Sequence, residues 1–168
     1  LDRLRNVAGV QQAGAVSNLP LVSRMFSGGL FKLDSGEQGK MAVLNTASPG
    51  YFRAIGSELV EGRDFSEADR QGAERVVIVS DDLARSFGRG SIVGRNLNLP
   101  GENAPQATRI VGVVRAQHIL GPARESVAQI FRPVEQSPPD FVTFVARVSG
   151  DPESYVAACR DAVQGVDR

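Results

Sequence analysis

The chain has 168 residues, 42% of them apolar, which is ordinary for a chain that buries a core and fits one domain or two small lobes. Its 19 lysines and arginines balance its 19 aspartates and glutamates, so it has no long-range field to hold a nucleic-acid backbone, and that partner class is disfavoured. No run approaches the ~20 apolar residues needed to cross a bilayer.

Eighteen glycines and nine prolines predict many turns and short elements. This stretch is not expected to carry a signal peptide. Leu1 is not a natural start, so the chain reads as an excised fragment, and the absence of spans describes this piece alone. Leu1 to Val7 reads as the end of a helix with Leu1 and Leu4 on one side, closed by Gly9. Val10 to Leu19 alternates weakly, as a strand does, until Pro20 breaks it. Ser23 to Gly39 is rich in Ser and Gly and predicts a mobile loop with a short strand at Leu30 to Leu33. Lys40 to Ala47 reads as a strand covered in part on both sides.

The stretch from Pro49 to Phe65 is one supersecondary unit. Ser48 is the expected cap of a helix holding Pro49 in its first turn and Tyr51, Phe52 and Ile55 on its apolar side. Gly56 ends it, because a helix stops most cheaply on a residue that tolerates positive φ. Glu58 to Val60 extends, and Glu61 to Asp64 turns into Phe65. Ser66 to Asp69 predicts another short helix, opened by a capping-box variant with Asp69 three residues after the cap. Arg75 to Ser80 is a β-branched run expected at the centre of a sheet. Ser80 is positioned to cap a helix from Asp81 to Phe87, with Asp81 and Asp82 at the positive end of its dipole. Strands follow at Ile92–Leu99, Thr108–Ala116, Val127–Pro133 and Phe141–Val148. Asp151 and Pro152 open the last helix, on which Tyr155, Cys159, Ala162 and Val166 share one face, expected to be buried.

The order and spacing of these pieces carry a resemblance. The Tyr51-Phe52 pair, Gly56, an extended stretch and Gly62-Arg63-Asp64-Phe65 are similar to the MacB-like periplasmic core domain of ABC transporter permeases of the MacB/FtsX-like class. The likeness continues through Val76 to Ser80, Phe87-Gly88, Val93-Gly94-Arg95, Ile110 to Val114, Ile130 to Pro133, Val145-Ala146-Arg147 and Gly150-Asp151-Pro152. The fold class expected is α+β. The resemblance implies two lobes: a porter-like βαβ-type lobe from 1–74 and 138–168, and an inserted β-rich lobe from 75–137. It implies an extracytoplasmic, periplasmic domain without enzymatic activity. In the family, such a domain couples ATP hydrolysis by a cytoplasmic ATPase, through flanking transmembrane helices, to a conformational change outside the membrane. A second permease copy is the expected mate. If the domain is inserted between two spans, both chain ends should lie on the same lobe, with Phe52 and Ile55 packed there and the 75–137 lobe set away.

Motifs for chemistry are sparse. Catalytic, cofactor-binding and metal-binding residues are all expected to be none. His118 is the single histidine, in an irregular segment without ligand partners at useful spacing. The alternative function, a small hydrolase or ligand-binding domain, would have to use it. Gly88 to Gly94 has the look of a phosphate loop but lacks the Lys-Ser/Thr pair that meets phosphate and Mg²⁺. Asp81 with Asp82, and Asp64 with Asp69, are better suited to helix starts and turns than to acid–base work. Arg63 is the expected hub of an ion pair at a turn, since a planar guanidinium can hold several acceptors. Cys159, the single cysteine, cannot form an internal disulfide and reads as a small buried hydrophobe.

Overall fold

The computed structural model describes residues 1–22, 27–34, 38–99, 106–117 and 126–164. Those residues form an α+β fold that is mostly sheet, with few and short helices. The elements in order are α1 (Asp2–Arg5), β1 (Val10–Val16), β2 (Ser27–Leu33), β3 (Lys40–Ala47), α2 (Tyr51–Ile55) and β4 (Leu59–Gly62). Then come β5 (Val76–Ser80), α3 (Asp81–Ser86), β6 (Asn96–Leu99), β7 (Gln106–Val114), β8 (Gln129–Pro133), β9 (Thr143–Val148), a 3-10 turn (Pro152–Tyr155) and α4 (Val156–Gln164). Among the described residues, no helix is long and apolar enough to cross a membrane.

The nine strands among the described residues join one sheet. Six of them pair in the cycle β2-β6-β7-β5-β8-β3 and back to β2, so the sheet closes into a small barrel. β3–β8 and β5–β7 run parallel; the other ring pairs are antiparallel. β4 takes the edge of β7 beyond the point where β6 leaves it. In the same way, β1 takes the edge of β3 beyond β2 and carries β9 on its own far side. β2 and β3, from the 1–74 segment, thus share one ring with β5 to β8 from 75–137.

Period-2 alternation separates two cores. Phe31, Leu33, Ala42, Val77, Val79, Leu97, Leu99, Ile110, Val113 and Ile130 point into the ring, with Leu83 of α3 and Ile92 packed against them. Val76, Ile78, Val111, Val114 and Phe131 point out of the same strands and are covered by Tyr51 and Phe52 of α2, by Phe65, and by Val16 and Ala47. β5 is therefore buried on both faces, which is why it reads as an unbroken apolar run. The outer core is aromatic: Phe52 meets Phe131 edge-on at 4.9 Å and Tyr51 meets Phe52 at 5.2 Å.

Several local expectations are corrected. Gly50, at φ 85°, occupies the N-cap position of α2, so Pro49 lies before the helix, and the Ser48 hydroxyl bonds to β1 instead. Gly56 does end α2, at φ 74°, with Ser57 N–H on Phe52 O and Gly56 N–H on Arg53 O closing a Schellman motif. Ser66 to Asp69 forms a turn, not a helix, because the Asp69 carboxylate is drawn to Arg63 as well as to Ser66. Ile92 to Arg95 is a turn on Gly94, at φ 87°, and shortens the expected strand to β6. Ser80 stands at the N-cap of α3, but its hydroxyl accepts from Gln129 N–H and donates to Asp82, so it ties β5 to β8. Asp151 does cap the last helical segment, accepting from Glu153 N–H.

Candidate functional site

Among the described residues, the strand pair with the fewest register partners is β1 with β3. One register pair, Val16 with Ala47, connects them, whereas β1 and β9 are in register along nearly their whole length. Serine hydroxyls complete the join. Ser48 N–H donates to Ala15 O at 2.9 Å, and Ala15 N–H donates back to Ser48 Oγ at 2.8 Å. Ser17 N–H donates to Thr46 O at 3.0 Å, and Thr46 N–H donates to Ser17 Oγ at 3.0 Å. Side chains here stand in for ladder bonds that the diverging strands cannot make. Gly14 lets α2 seat against this join: a Cβ there would lie 2.4 Å from Tyr51 Cα and 2.6 Å from Tyr51 N. Arg147 of β9 donates to Ala54 O at 3.2 Å, fastening the other end of α2.

A chain of amides runs from the join along the outer face of the ring. Asn18 Nδ2 donates to Asn45 Oδ1 at 2.9 Å, and Asn45 Nδ2 to Gln129 Oε1 at 3.4 Å. Gln129 Nε2 donates to Gln117 O at 3.0 Å, and the Tyr51 hydroxyl donates to Gln117 Oε1 at 3.3 Å. Burial pushes the Tyr51 phenol well above its ordinary range, against a smaller opposing pull from Gln117. Such a network is directional, so it holds one relative placement of β3, β8 and α2 more sharply than apolar packing does.

Two ion-pair knots flank the outer core. Arg63 grips Asp69 with both guanidinium arms at 2.7 Å and also donates to Asp64 O. Burial works against the Asp69 charge, but Arg63 and Ser66 hold its carboxyl below the usual range. Burial pushes the neighbouring Asp64 carboxyl up. Asp81 receives Arg85 at 2.7 Å, Arg115 at 2.8 Å and Ala116 N–H at 2.9 Å. Burial opposes its charge too, and Arg85, Ala116 and Arg115 together hold the carboxyl low. Arg115 reaches Glu58 as well, at 2.7 Å. The Asp69 and Asp81 carboxylates are thus engaged by structural partners.

The ion-pair role expected of Arg63 is what the structure places there. Asp81 and Asp82 do not act as a pair: Asp82 accepts from Leu83 N–H and from the hydroxyls of Ser80 and Ser126. Gly88 and Gly90 lie in an exposed turn with open space around them. His118 lies outside the described residues. Among the described residues, no group of three or more His, Cys, Asp or Glu could hold a metal ion. Cys159 is half-buried, and the face it shares with Tyr155 and Ala162 is only partly covered; Val166 lies outside the described residues. The reason is that α4 lies over a groove of about 540 Å³ between β9 and α1, lined by Leu4, Phe144, Cys159 and Val163 among others. Arg115, Ser17 and Gln117 were missed by sequence reasoning. Their partners lie up to 66 residues away, beyond the reach of local signals.

α1 packs against α4 and against β1, which pairs with β9, so the two ends of the described chain lie side by side.

The family described as MacB-like periplasmic core domain matches residues 3–164. Comparison with curated proteins finds no match. Among solved structures, the extracellular domain of the noncanonic ABC-type transporter YknZ from Gram-positive bacteria superposes with a TM-score of 0.62 at 18% identity, over 99% of this chain and 79% of that one. The periplasmic region of MacB from Actinobacillus actinomycetemcomitans superposes at 0.61 and 14% identity, over 99% of this chain and 89% of that one. At such identities the superpositions speak for the fold.

Proposed function

Because the chain belongs to the MacB-like periplasmic core domain family of ABC transporter permeases, we propose that it works as the permease's extracytoplasmic coupling element. In this reading, ATP hydrolysis by a cytoplasmic ATPase reaches the domain through flanking transmembrane helices and moves it against a second permease copy, for export or for mechanotransmission. The role asks for stiff bodies and a defined joint rather than a reactive group. The observation that carries the reading is the packing of α1 on α4 and on β1, which brings both ends of the described chain together. The ring core, made by six strands, lies beyond the single register pair of the β1–β3 join.

The proposal keeps two lobes, 1–74 with 138–168 and the inserted 75–137. The inserted run supplies four of the six ring strands, β5 to β8, and the β2–β3 hairpin closes the ring against it. Motion would concentrate where few bonds cross, at Ala15 to Ser17 and Thr46 to Ser48; that join lies inside the 1–74 run, so β2 and β3 would move with the inserted lobe.

Alkaline phosphatase inserted at Gly72, an exposed turn with open space around it, reports location in the parent polypeptide. Activity places the domain outside the cytoplasm; a silent fusion with normal expression refutes the reading. A Val16→Cys/Ala47→Cys pair tests the joint. Its oxidation should stop transport reversibly, with reductant restoring it. Full transport by the oxidised pair would show that the join does not move.

A further inference from the structure

We infer that the mouth of the barrel opposite the amide chain is a binding site for a small tetrahedral oxyanion, of the phosphate or sulfate class, held by Arg132 and Arg75. Alternation along the strands brings the residues together. Arg132 follows Ile130 by two on β8, Arg75 precedes Val77 by two at the start of β5, and Ile130 and Val77 both point into the ring. Leu99 of β6 and Thr108 of β7 reach the same mouth, and Gln136 and Ser137 close it from the turn after β8. The cavity they line holds about 40 Å³. That admits about three waters, or the oxygens of one small oxyanion.

The charges in this cavity do not balance. The Arg132 Nε is buried with no hydrogen-bond partner, and among the described residues no carboxylate pairs with Arg132 or Arg75. Burial, and then the facing Arg75, pull the Arg132 guanidinium below its ordinary range. Gln136 cannot compensate: its Oε1 accepts from Val76 N–H at 3.2 Å, and its Nε2 donates to Glu74 O at 2.8 Å. Two cations that face a small polar cavity without a counter-charge match an anion, and the planar fork of arginine suits oxyanion geometry.

The 168-residue chain is titrated with sodium phosphate at pH 7, with sodium chloride holding ionic strength constant. The melting temperature should rise saturably, and the Arg132 Nε–H resonance should shift along the same isotherm. Arg132→Gln should abolish both responses. Arg75→Ala, a change at an exposed side chain without a hydrogen bond of its own, should keep the fold and weaken phosphate affinity several-fold. If phosphate moves neither readout beyond the chloride control, the site does not exist. If Arg75→Ala keeps the parent's isotherm, binding lies elsewhere and the assignment fails. Should Arg132→Gln not fold, Arg75→Ala and the Nε–H titration of the parent decide the question alone.

Discussion

Gly14→Ala isolates the contact on which the β1–β3 join depends. Gly14 is not in the left-handed region, so alanine there meets no backbone strain, and the whole effect is steric. Its Cβ would stand 2.4 Å from Tyr51 Cα, 2.6 Å from Tyr51 N and 3.0 Å from Tyr51 Cβ. The first two are backbone atoms, so no rotamer change relieves them; α2 must shift away from β1. Tyr51 and Phe52, 0% and 2% exposed, ride on that helix and would lose part of their contact with Phe131 and Phe65. Overpacking of this kind costs about 1–3 kcal/mol. For a domain of this size, each kcal/mol moves the midpoint by about 2–4 °C. The expected fall is therefore roughly 2–12 °C by circular dichroism, with a matching drop in the urea midpoint at unchanged slope. Gly29→Ala is the control: its Cβ would meet only a ring atom of Phe31 at 3.9 Å, and the change should stay within about 0.5 kcal/mol. A Gly14→Ala chain as stable as its parent would refute the close approach of α2 to β1, and with it the account of the join.

Ser48→Ala removes the buried acceptor of Ala15 N–H and should cost about 1–3 kcal/mol in urea unfolding; a neutral result would mean that the hydroxyl does not complete the β1–β3 join. Asp69 and Asp81 have carboxyls held low in the folded state, so the stability they add is present above the unfolded carboxylate value of about 4 and is lost as pH falls through their folded values. The Asp69→Asn/Asp81→Asn chain should therefore show a flatter acid-unfolding profile below about pH 4, and an unchanged slope there would discount both knots. Tyr51 has the opposite sign: its raised phenol leaves stability intact below about pH 10 and erodes it above, as the unfolded chain ionises first. In a Tyr155→Phe chain, the remaining phenolate absorbance should appear only with unfolding; ionisation near pH 10 in the folded chain would contradict the burial of Tyr51 in the outer core.

What could be read from residues alone was whatever local physics decides. The β-branched run of Val76 to Val79 announced a strand at the centre of a sheet, Gly56 announced a helix end through its freedom at positive φ, and Asp151-Pro152 announced a helix start. Arg63 was legible as an ion-pair hub because its partner, Asp69, lies only six residues on. Where a side chain had two suitors, the chain could not choose between them. Ser48 and Ser80 both carry a cap signal in the sequence, yet each engages another strand through its hydroxyl, because only the folded sheet brings Ala15 and Gln129 within reach. Ser66 to Asp69 carries a capping signature, but the guanidinium of Arg63 competes for the same carboxylate, and a turn results.

Ring closure belongs to tertiary structure entirely. The Ser- and Gly-rich β2 has little propensity of its own and is ordered by pairing with β3 on one edge and β6 on the other. The unbalanced cavity at Arg132 and Arg75 arises for the same reason: the two residues are 57 apart in sequence and face each other only because β5 and β8 are neighbours in the ring. Periodicity sets which face of a strand is apolar, and so it determined the elements and much of the core. It says nothing about which strand lies beside which, and the join, the amide chain and the cationic mouth all depend on that adjacency.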